Sequence, residues 1–250
     1  MLSDILKWGG KRPDRSGVSS SASIARDEPV LVSKGLPKFL AALTQQPSPV
    51  LLDFGPVIGT NVEHFGERLG CKLFIEDLLA DIERHTKAGT LDQLPASFEK
   101  RFRHADASVD GILCWDVFDF LDKHAAAALA RQIVRMLKPG GIVMSFFCSS
   151  AVENASFTKF EIVDDSSLRH RHHAGAGGTK RVLQNRDIIR MFEGLNVLDS
   201  FLLKTNTREM LLRRSGAPAT RPETAPETKA EAKAQAKPGQ APARSGTSAS

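Results

Sequence analysis

Segment 50–61 constrains the fold of this chain more than any other. An apolar run leading to Asp53 is typical of a strand that is buried on both faces. Gly55 and Gly59 then bracket a turn into a segment with helical character. Glycines let a backbone approach a ligand closely, and the start of a helix offers unpaired N–H groups. A carboxylate at this point would accept hydrogen bonds from hydroxyl or ammonium groups, so the segment predicts a nucleotide-sized site.

Short apolar runs alternate with amphipathic segments through most of the chain. Strands are predicted at 50–52, 72–76, 111–115, 142–147 and 157–164, and helices at 36–43, 78–85, in the alanine-rich segment after 116, and at 186–193 with Asn185 as N-cap. A β-hairpin is predicted over 196–213. This alternation predicts an α/β fold, Rossmann-like and doubly wound, with a mainly parallel sheet and a C-terminal antiparallel hairpin at its edge.

Two internal regions lack a clear period. Residues 89–107 give no third strand, because their apolar residues follow neither a helical nor a strand repeat. Residues 168–180 are rich in glycine, histidine and arginine, and a polar, basic loop is predicted there. His170, His172 and His173 alternate in it, but no acid or cysteine completes a ligand set, so no metal site is predicted.

The two ends of the chain differ in composition from the middle. Residues 1–29 are rich in Ser, Gly and Arg and are predicted to be a flexible leader. From residue 215 to 250 there is no Leu, Ile, Val, Met or aromatic residue, so this tail cannot bury enough apolar surface to order itself. The single folded domain is therefore predicted at 30–214.

Composition excludes several classes of protein. The formal net charge is +5, of which the tail after Arg214 contributes +2, so the rest of the chain is close to balanced and charge alone does not imply a nucleic-acid partner. Cys71, Cys114 and Cys148 are far apart, which argues against a disulfide framework and for a reducing compartment. No apolar stretch approaches the ~20 residues that cross a membrane, and the N-terminus does not read as a secretory signal. A cytoplasmic protein without a membrane partner is expected.

Four motifs follow one another in the order of a known family. They are the acid and glycines of 51–59, the acid Glu76 after the next strand, the strand 109–116, and Leu-Lys-Pro-Gly-Gly at 137–141. Together they resemble the glycine motif, ribose acid, fourth strand and proline–glycine turn of the class I S-adenosylmethionine-dependent methyltransferases. The resemblance implies methyl transfer from S-adenosyl-L-methionine to an unidentified acceptor, either a small molecule or a macromolecule.

The resemblance also implies roles for individual residues of the cofactor site. Asp53, Gly55 and Gly59 would surround the methionine part of the cofactor. Glu76 would accept hydrogen bonds from the two ribose hydroxyls, as an acid in this position does in dinucleotide-binding folds. Asp77 would line the adenine pocket.

The end of the fourth strand contributes further candidates. Trp115 and Asp116 lie where the strand opens at its carboxyl end, the edge at which open α/β sheets bind ligands. Methyl transfer depends mainly on alignment, so no dedicated side chain is required. If a general base is needed, Asp116 and His170 are the candidates.

Two alternatives stay open at the level of sequence. The family usually has a glycine where this chain has Val57, and a β-branched residue disfavours a positive φ. A catalytically inactive methyltransferase fold, acting as a binding or regulatory protein, is therefore one alternative. The other is a nicotinamide-dependent oxidoreductase, which the spacing Gly55-x-x-x-Gly59 disfavours because it lacks G-x-G-x-x-G.

Overall fold

The structure is a computed structural model that describes residues 28–216. The leader predicted for 1–29 and the tail predicted for 215–250 lie outside the described residues, apart from 28–29 and 215–216. The strands are β1 (Val30–Val32), β2 (Val50–Asp53), β3 (Lys72–Ile75), β4 (Val109–Trp115), β5 (Leu137–Cys148), β6 (Val152–Asp164), β7 (Ser167–Lys180), β8 (Leu195–Leu202) and β9 (Thr207–Arg214). The α-helices are α1 (Leu36–Leu43), α2 (Gly59–Val62), α3 (Leu78–Ala88), α4 (Leu94–Arg101), α5 (Lys123–Met136) and α6 (Asn185–Met191).

The larger of two sheets has six strands in the order β3-β2-β4-β5-β9-β8. Strands β3, β2, β4 and β5 are parallel, whereas β9 runs antiparallel to both β5 and β8. Asp53, the last residue of β2, lies opposite Ile75 of β3 and Leu113 of β4. The carboxyl ends of the parallel strands therefore meet at one edge. The predicted α/β, Rossmann-like class is confirmed.

The parallel strands β2, β4 and β5 are largely buried on both faces, as their apolar runs predict, whereas the edge strand β3 is only partly buried. Leu52 and Ile112 belong to a core cluster with α3, α4 and α5 on one side of the sheet. Leu51 and Leu113 point the other way and join a second cluster with α1. Because neighbouring residues of a strand face opposite sides, each strand holds both layers of helices in place.

The smaller sheet has three antiparallel strands in the order β1-β7-β6. The polar loop predicted for residues 168–180 is therefore wrong, because Ser167–Lys180 is a strand. Arg169 and Arg171, two residues apart, point to the same side and both reach the carboxylate of Glu161 on β6, at 3.2 Å and 3.0 Å. These charged pairs across the strands stabilise a segment whose composition resembles a loop.

One undecided region and one local prediction remain. Residues 89–107, where the sequence placed no strand, contain a short 3₁₀ helix, Leu91–Gln93, followed by α4. Asn185 is not the N-cap of α6 but its first residue, and Gln184 precedes it. Its side-chain oxygen instead accepts a hydrogen bond from Arg208. Among residues 28–216, none of the helices combines the length and the apolar character needed to cross a membrane.

Candidate functional site

The site predicted from the sequence lies at the carboxyl edge of the parallel strands. Asp53 ends β2 and is 1% exposed, while Glu76 follows β3 and keeps 23% of its side chain exposed. The two are adjacent, because the Glu76 backbone N–H donates to the Asp53 carbonyl oxygen at 2.7 Å. One buried and one accessible carboxylate therefore stand side by side at the end of the sheet.

Asp53 holds the glycine turn in place. Its Oδ1 atom accepts hydrogen bonds from the Gly55 backbone N–H at 2.8 Å and from the Trp115 indole Nε1–H at 2.6 Å. Burial raises the pKa of Asp53 to about 6, although these two hydrogen bonds act in the opposite direction. Asp77 also raises it slightly as a neighbouring negative charge. The carboxylate is therefore mostly ionised at pH 7, with neutral donors as its partners.

Trp115 covers the glycine turn. A Cβ atom added to Gly55 would lie 2.8 Å from both Cδ1 and Nε1 of the indole, so only glycine permits this approach. The indole is stacked on Phe160 of β6, with centroids 5.2 Å apart and planes within 5°. Trp115 has a φ of +49°, which is unfavourable for a bulky side chain. A strained backbone at the end of a sheet strand is a feature that clusters at functional sites.

The rest of the turn shows why Val57 is tolerated. Val57 is 72% exposed and does not have a positive φ, so nothing in the turn requires a glycine there. Gly59 is the first residue of α2, and a Cβ atom on it would meet no atom within 4 Å. Two residues on, the buried Asn61 side chain donates to the Phe160 carbonyl and accepts from the Ile162 N–H, both at 2.8 Å. These bonds tie α2 to the smaller sheet.

Glu76 and Asp77 have partners within the chain. Arg101 of α4 donates to Glu76 Oε2 at 2.8 Å and also bonds Asp81, while His104 lies 3.9 Å from Glu76 Oε1. Asp77 is the N-cap of α3 and accepts from the Ala80 N–H at 3.1 Å. A cavity of about 100 Å³ lies beside it, lined by Pro56, Asp77, Leu79, Ala80, Glu83, Phe157 and Lys159. Pockets for small molecules are commonly ~300–1,000 Å³, so the cavity holds only part of a nucleotide.

Asp116, the residue after Trp115, belongs to a buried ionic group. Lys180 at the end of β7 places its Nζ atom 2.8 Å from Asp116 Oδ2 and 3.6 Å from Asp119 Oδ2. Both aspartates are 1% exposed, and Asp119 Oδ1 also accepts from the Cys148 N–H at 2.9 Å. Asp116 Oδ1 is buried and accepts no hydrogen bond within residues 28–216. We call Asp116, Asp119 and Lys180 the acidic cluster.

Electrostatics within the acidic cluster are strongly coupled. Burial, which is the largest cause, and the charge of Asp116 together raise the pKa of Asp119 to about 7, against the opposing effects of Lys180 and the Cys148 N–H. Burial alone would lower the pKa of Lys180, but the two carboxylates outweigh it and raise that pKa. Lys180 is therefore a permanent cation, whereas Asp119 titrates near neutral pH.

His170 lies away from the main sheet, in the middle of β7. Its ring contacts Phe160 edge-on with centroids 4.8 Å apart. Burial lowers its pKa to about 4, with smaller contributions from His172 and Lys180. The imidazole is therefore neutral at pH 7 and a weak proton acceptor.

The structure thus brings Asp53, Gly55 and Trp115 into direct contact and links Glu76 to them through the backbone. Sequence reasoning missed Lys180, which lay in the stretch taken for a loop. It also missed Phe160 as the partner of Trp115. An alternation of arginine with leucine or histidine in 168–171 was the one signal that could have revealed the strand.

Comparison with known proteins now decides the family. A family model described as a methyltransferase domain matches residues 24–196, which is more than half of the chain. The chain belongs to this methyltransferase family. Its function is S-adenosylmethionine-dependent methyl transfer. No curated protein matches the methyltransferase.

Several solved structures are similar to the methyltransferase at low sequence identity. A 1,6-didemethyltoxoflavin-N1-methyltransferase from Burkholderia thailandensis is 14% identical, with 73% of this chain and 77% of that chain covered and a TM-score of 0.44. An S-adenosylmethionine-dependent methyltransferase from Clostridium acetobutylicum is 13% identical, with 74% and 93% covered and a TM-score of 0.47. A methyltransferase from Methanosarcina mazei is 8% identical, with 69% and 95% covered and a TM-score of 0.40.

The hydrogen-bond acceptors at the edge of the sheet match the hydrogen-bond donors of S-adenosylmethionine. The cofactor carries an ammonium group and two ribose hydroxyls, all of which are donors, and the turn offers the carboxylates of Asp53, Glu76 and Asp77. The glycine cradle is also present, because a Cβ on Gly55 would collide with its neighbours. In this conformation the Trp115 indole occupies the space over Gly55. A cofactor can therefore approach Gly55 only when the indole lies elsewhere.

Proposed function

We propose that the methyltransferase binds S-adenosylmethionine at the carboxyl edge of β2 and β3. Asp53, Gly55 and Gly59 surround the methionine part, Glu76 accepts from the ribose hydroxyls, and Asp77 lies beside the adenine. The observation that carries the proposal is the accessible carboxylate of Glu76 directly beside the glycine turn. Its 23% exposure leaves room for hydroxyl donors in addition to Arg101.

Binding at this place moves the Trp115 indole. The indole edge lies over Gly55, where only a residue without a Cβ permits contact. Release of the Asp53–Trp115 hydrogen bond frees Oδ1 of a mostly ionised carboxylate for an ammonium donor, which is a stronger partner than a neutral indole.

S-adenosylmethionine supplies an electrophilic methyl group on a sulfonium. The chain aligns the acceptor and removes its proton where needed. Asp116 is the better placed candidate for that proton, because it directly follows β4 at the edge of the proposed cofactor site, whereas His170 lies in β7 of the smaller sheet. The acceptor is an unidentified small molecule or macromolecule.

Two further proposals complete this assignment. The buried free thiols of Cys71, Cys114 and Cys148 suit a reducing compartment, which supports a cytoplasmic location. The outer position of β8 and β9 supports a doubly wound sheet with a C-terminal antiparallel hairpin at its edge.

Titration with S-adenosylhomocysteine and S-adenosylmethionine tests the cofactor site. The chain has two tryptophans, so Trp8→Phe leaves Trp115 as the only fluorophore of this kind. We expect binding heat together with a change in Trp115 emission. Glu76→Gln should weaken binding by about 10- to 100-fold, because a hydrogen bond to a charged group contributes about 1.5–3 kcal/mol.

Glu99→Gln, on the exposed side of α4, is the matched control and should bind like the parent. Unchanged affinity in Glu76→Gln would refute the ribose role. Heat without any change in Trp115 emission would refute the movement of the indole.

A further inference from the structure

The acidic cluster is built from three separate parts of the chain. Asp116 follows β4, Asp119 lies in the 3₁₀ helix Val117–Phe120, and Lys180 ends β7. One lysine faces two aspartates, so one negative charge has no cation beside it once Asp119 ionises, near pH 7 and above. Buried charges are costly unless they are paired, so this composition leaves an electrostatic demand for a further cation.

One carboxylate oxygen of the acidic cluster lacks a partner in the part of the chain that the structure describes. Lys180 occupies Oδ2 of Asp116, whereas the buried Oδ1 accepts no hydrogen bond within residues 28–216. Nearly all buried polar atoms in folded proteins have a partner, and a missing partner costs about 1–3 kcal/mol, or more for a charged group. Oδ1 is therefore an open acceptor position on a buried anion.

Aromatic rings connect this position to the glycine turn. Lys180 Nζ lies 5.2 Å from the centroid of Phe120, and Phe157 contacts Phe120 edge-on at 4.6 Å. Phe157 also lines the cavity that contains Pro56 and Asp77. Contacts through Phe157 and Phe120 therefore link this cavity to Lys180 of the acidic cluster. Aromatic faces attract cations, and Lys180, with 17% of its side chain exposed, marks the side from which solvent reaches the cluster.

We infer that the acidic cluster is the acceptor subsite and that it binds the ammonium form of an amine, with Asp116 Oδ1 accepting its hydrogen bond. The inference rests on the proposed cofactor site, since it concerns the substrate of the same reaction. A carboxylate or phenolate acceptor would meet an excess of negative charge. A neutral alcohol would satisfy Oδ1 but not the unpaired charge.

The chemistry of N-methylation fits this arrangement. An ammonium nitrogen has no lone pair and must lose a proton before it can react. A carboxylate of the cluster takes that proton, the nitrogen forms a bond to the methyl carbon, and the carbon–sulfur bond breaks with its electrons left on sulfur. Asp119, whose pKa burial raises to about 7, can hold a proton near neutral pH.

Three compounds with the same ring and similar chains test the headgroup preference. 2-Phenylethylammonium chloride, 2-phenylethanol and 3-phenylpropionate are titrated calorimetrically into the full chain, with and without saturating S-adenosylhomocysteine. We expect the ammonium compound to bind at least tenfold more tightly than the alcohol and the carboxylate not to bind. Equal binding of the alcohol, or preference for the carboxylate, would overturn the inference.

Two variants change the affinity in opposite directions. Asp116→Asn should weaken ammonium binding at least tenfold, whereas Lys180→Met should strengthen it because the competing cation is gone. Asp92→Asn, an exposed acid elsewhere, should bind like wild type. Weaker ammonium binding by both variants, each shown to be folded by circular dichroism, would contradict the inference. The headgroup comparison needs only wild-type protein, so it decides the matter even if neither variant folds.

The same titrations separate this inference from the proposed function. Absence of S-adenosylhomocysteine binding would refute the cofactor site, and the ammonium titration without it would still test the cluster. Cofactor binding without any ammonium preference would refute the acceptor inference alone.

Discussion

Buried aspartates lie in two positions at the same edge of the sheet, and their carboxylates have different kinds of partner. Asp53 is held by neutral donors, the Gly55 N–H and the Trp115 indole. Asp116 and Asp119 are held by a cation, Lys180, from another sheet. Burial raises the pKa in both places, to about 6 for Asp53 and about 7 for Asp119.

The difference separates two kinds of binding site. A carboxylate with neutral donors can exchange one of them for a charged ligand without leaving a buried cation behind. A carboxylate paired with lysine keeps its partner, and a ligand is added at the remaining acceptor atom. The first arrangement suits a group that displaces Trp115, and the second suits one that joins Lys180.

Removal of Lys180 should have the largest effect on stability. Lys180→Met leaves two buried carboxylates facing one another, and loss of one partner of a buried pair typically costs about 3–5 kcal/mol. Lys138→Met is the matched control, because Lys138 pairs with Asp110 but keeps 39% of its side chain exposed. It should cost only about 1 kcal/mol or less. Urea denaturation measures the free energy of unfolding of both variants. Similar losses would mean that Lys180 stabilises the fold no more than the half-exposed Lys138 does.

A Cβ atom at Gly55 should have an intermediate effect. Gly55→Ala places it 2.8 Å from the indole, and overpacking of this kind costs about 1–3 kcal/mol. Gly59→Ala, at the start of α2 with open space around it, should leave stability unchanged or raise it by up to about 1 kcal/mol. Thermal unfolding compares the two. Equal melting temperatures would show that Trp115 does not lie against Gly55.

The pH dependence of the free energy of unfolding should distinguish Asp53 from Asp119, with a smaller effect than the substitutions above. An Asp of an unfolded chain titrates near ~3.9, so the native state holds protons on Asp53 and Asp119 that the unfolded state has released. The stabilisation is complete below pH ~3.9 and is lost as the pH rises, up to about 6 for Asp53 and about 7 for Asp119.

Between pH 6 and 7 the loss therefore belongs mainly to Asp119 and amounts to about 1 kcal/mol, because native Asp119 releases about half of its proton by pH 7. Asp119→Asn should abolish this decline in the free energy of unfolding, and Asp53→Asn should retain it. Histidines such as His170 titrate in both proteins and cancel in the comparison. A decline that persists in Asp119→Asn would assign it to another group.

Sequence patterns predicted the local structure around Asp53, namely the strand that it ends and the glycine turn that follows. The strand, the acid and Gly55 lie within a few residues of one another, and the bond between Asp53 and Gly55 spans two positions. Local steric and hydrophobic rules suffice for such a unit. The outward course of Val57 was not predictable, because it depends on how the turn passes over Trp115 and β6.

The sequence by itself determined the apolar strands, the helices between them and the acids at their ends, because burial on both faces and helical spacing leave periodic patterns. Only the tertiary structure decided that Trp115 closes over Gly55 and that Lys180 meets Asp116, 64 residues away. Residues 168–180 were mistaken for a loop because pairing with Glu161, rather than local propensity, stabilises that strand. The partners of a buried charge come from chain topology, which no local pattern encodes.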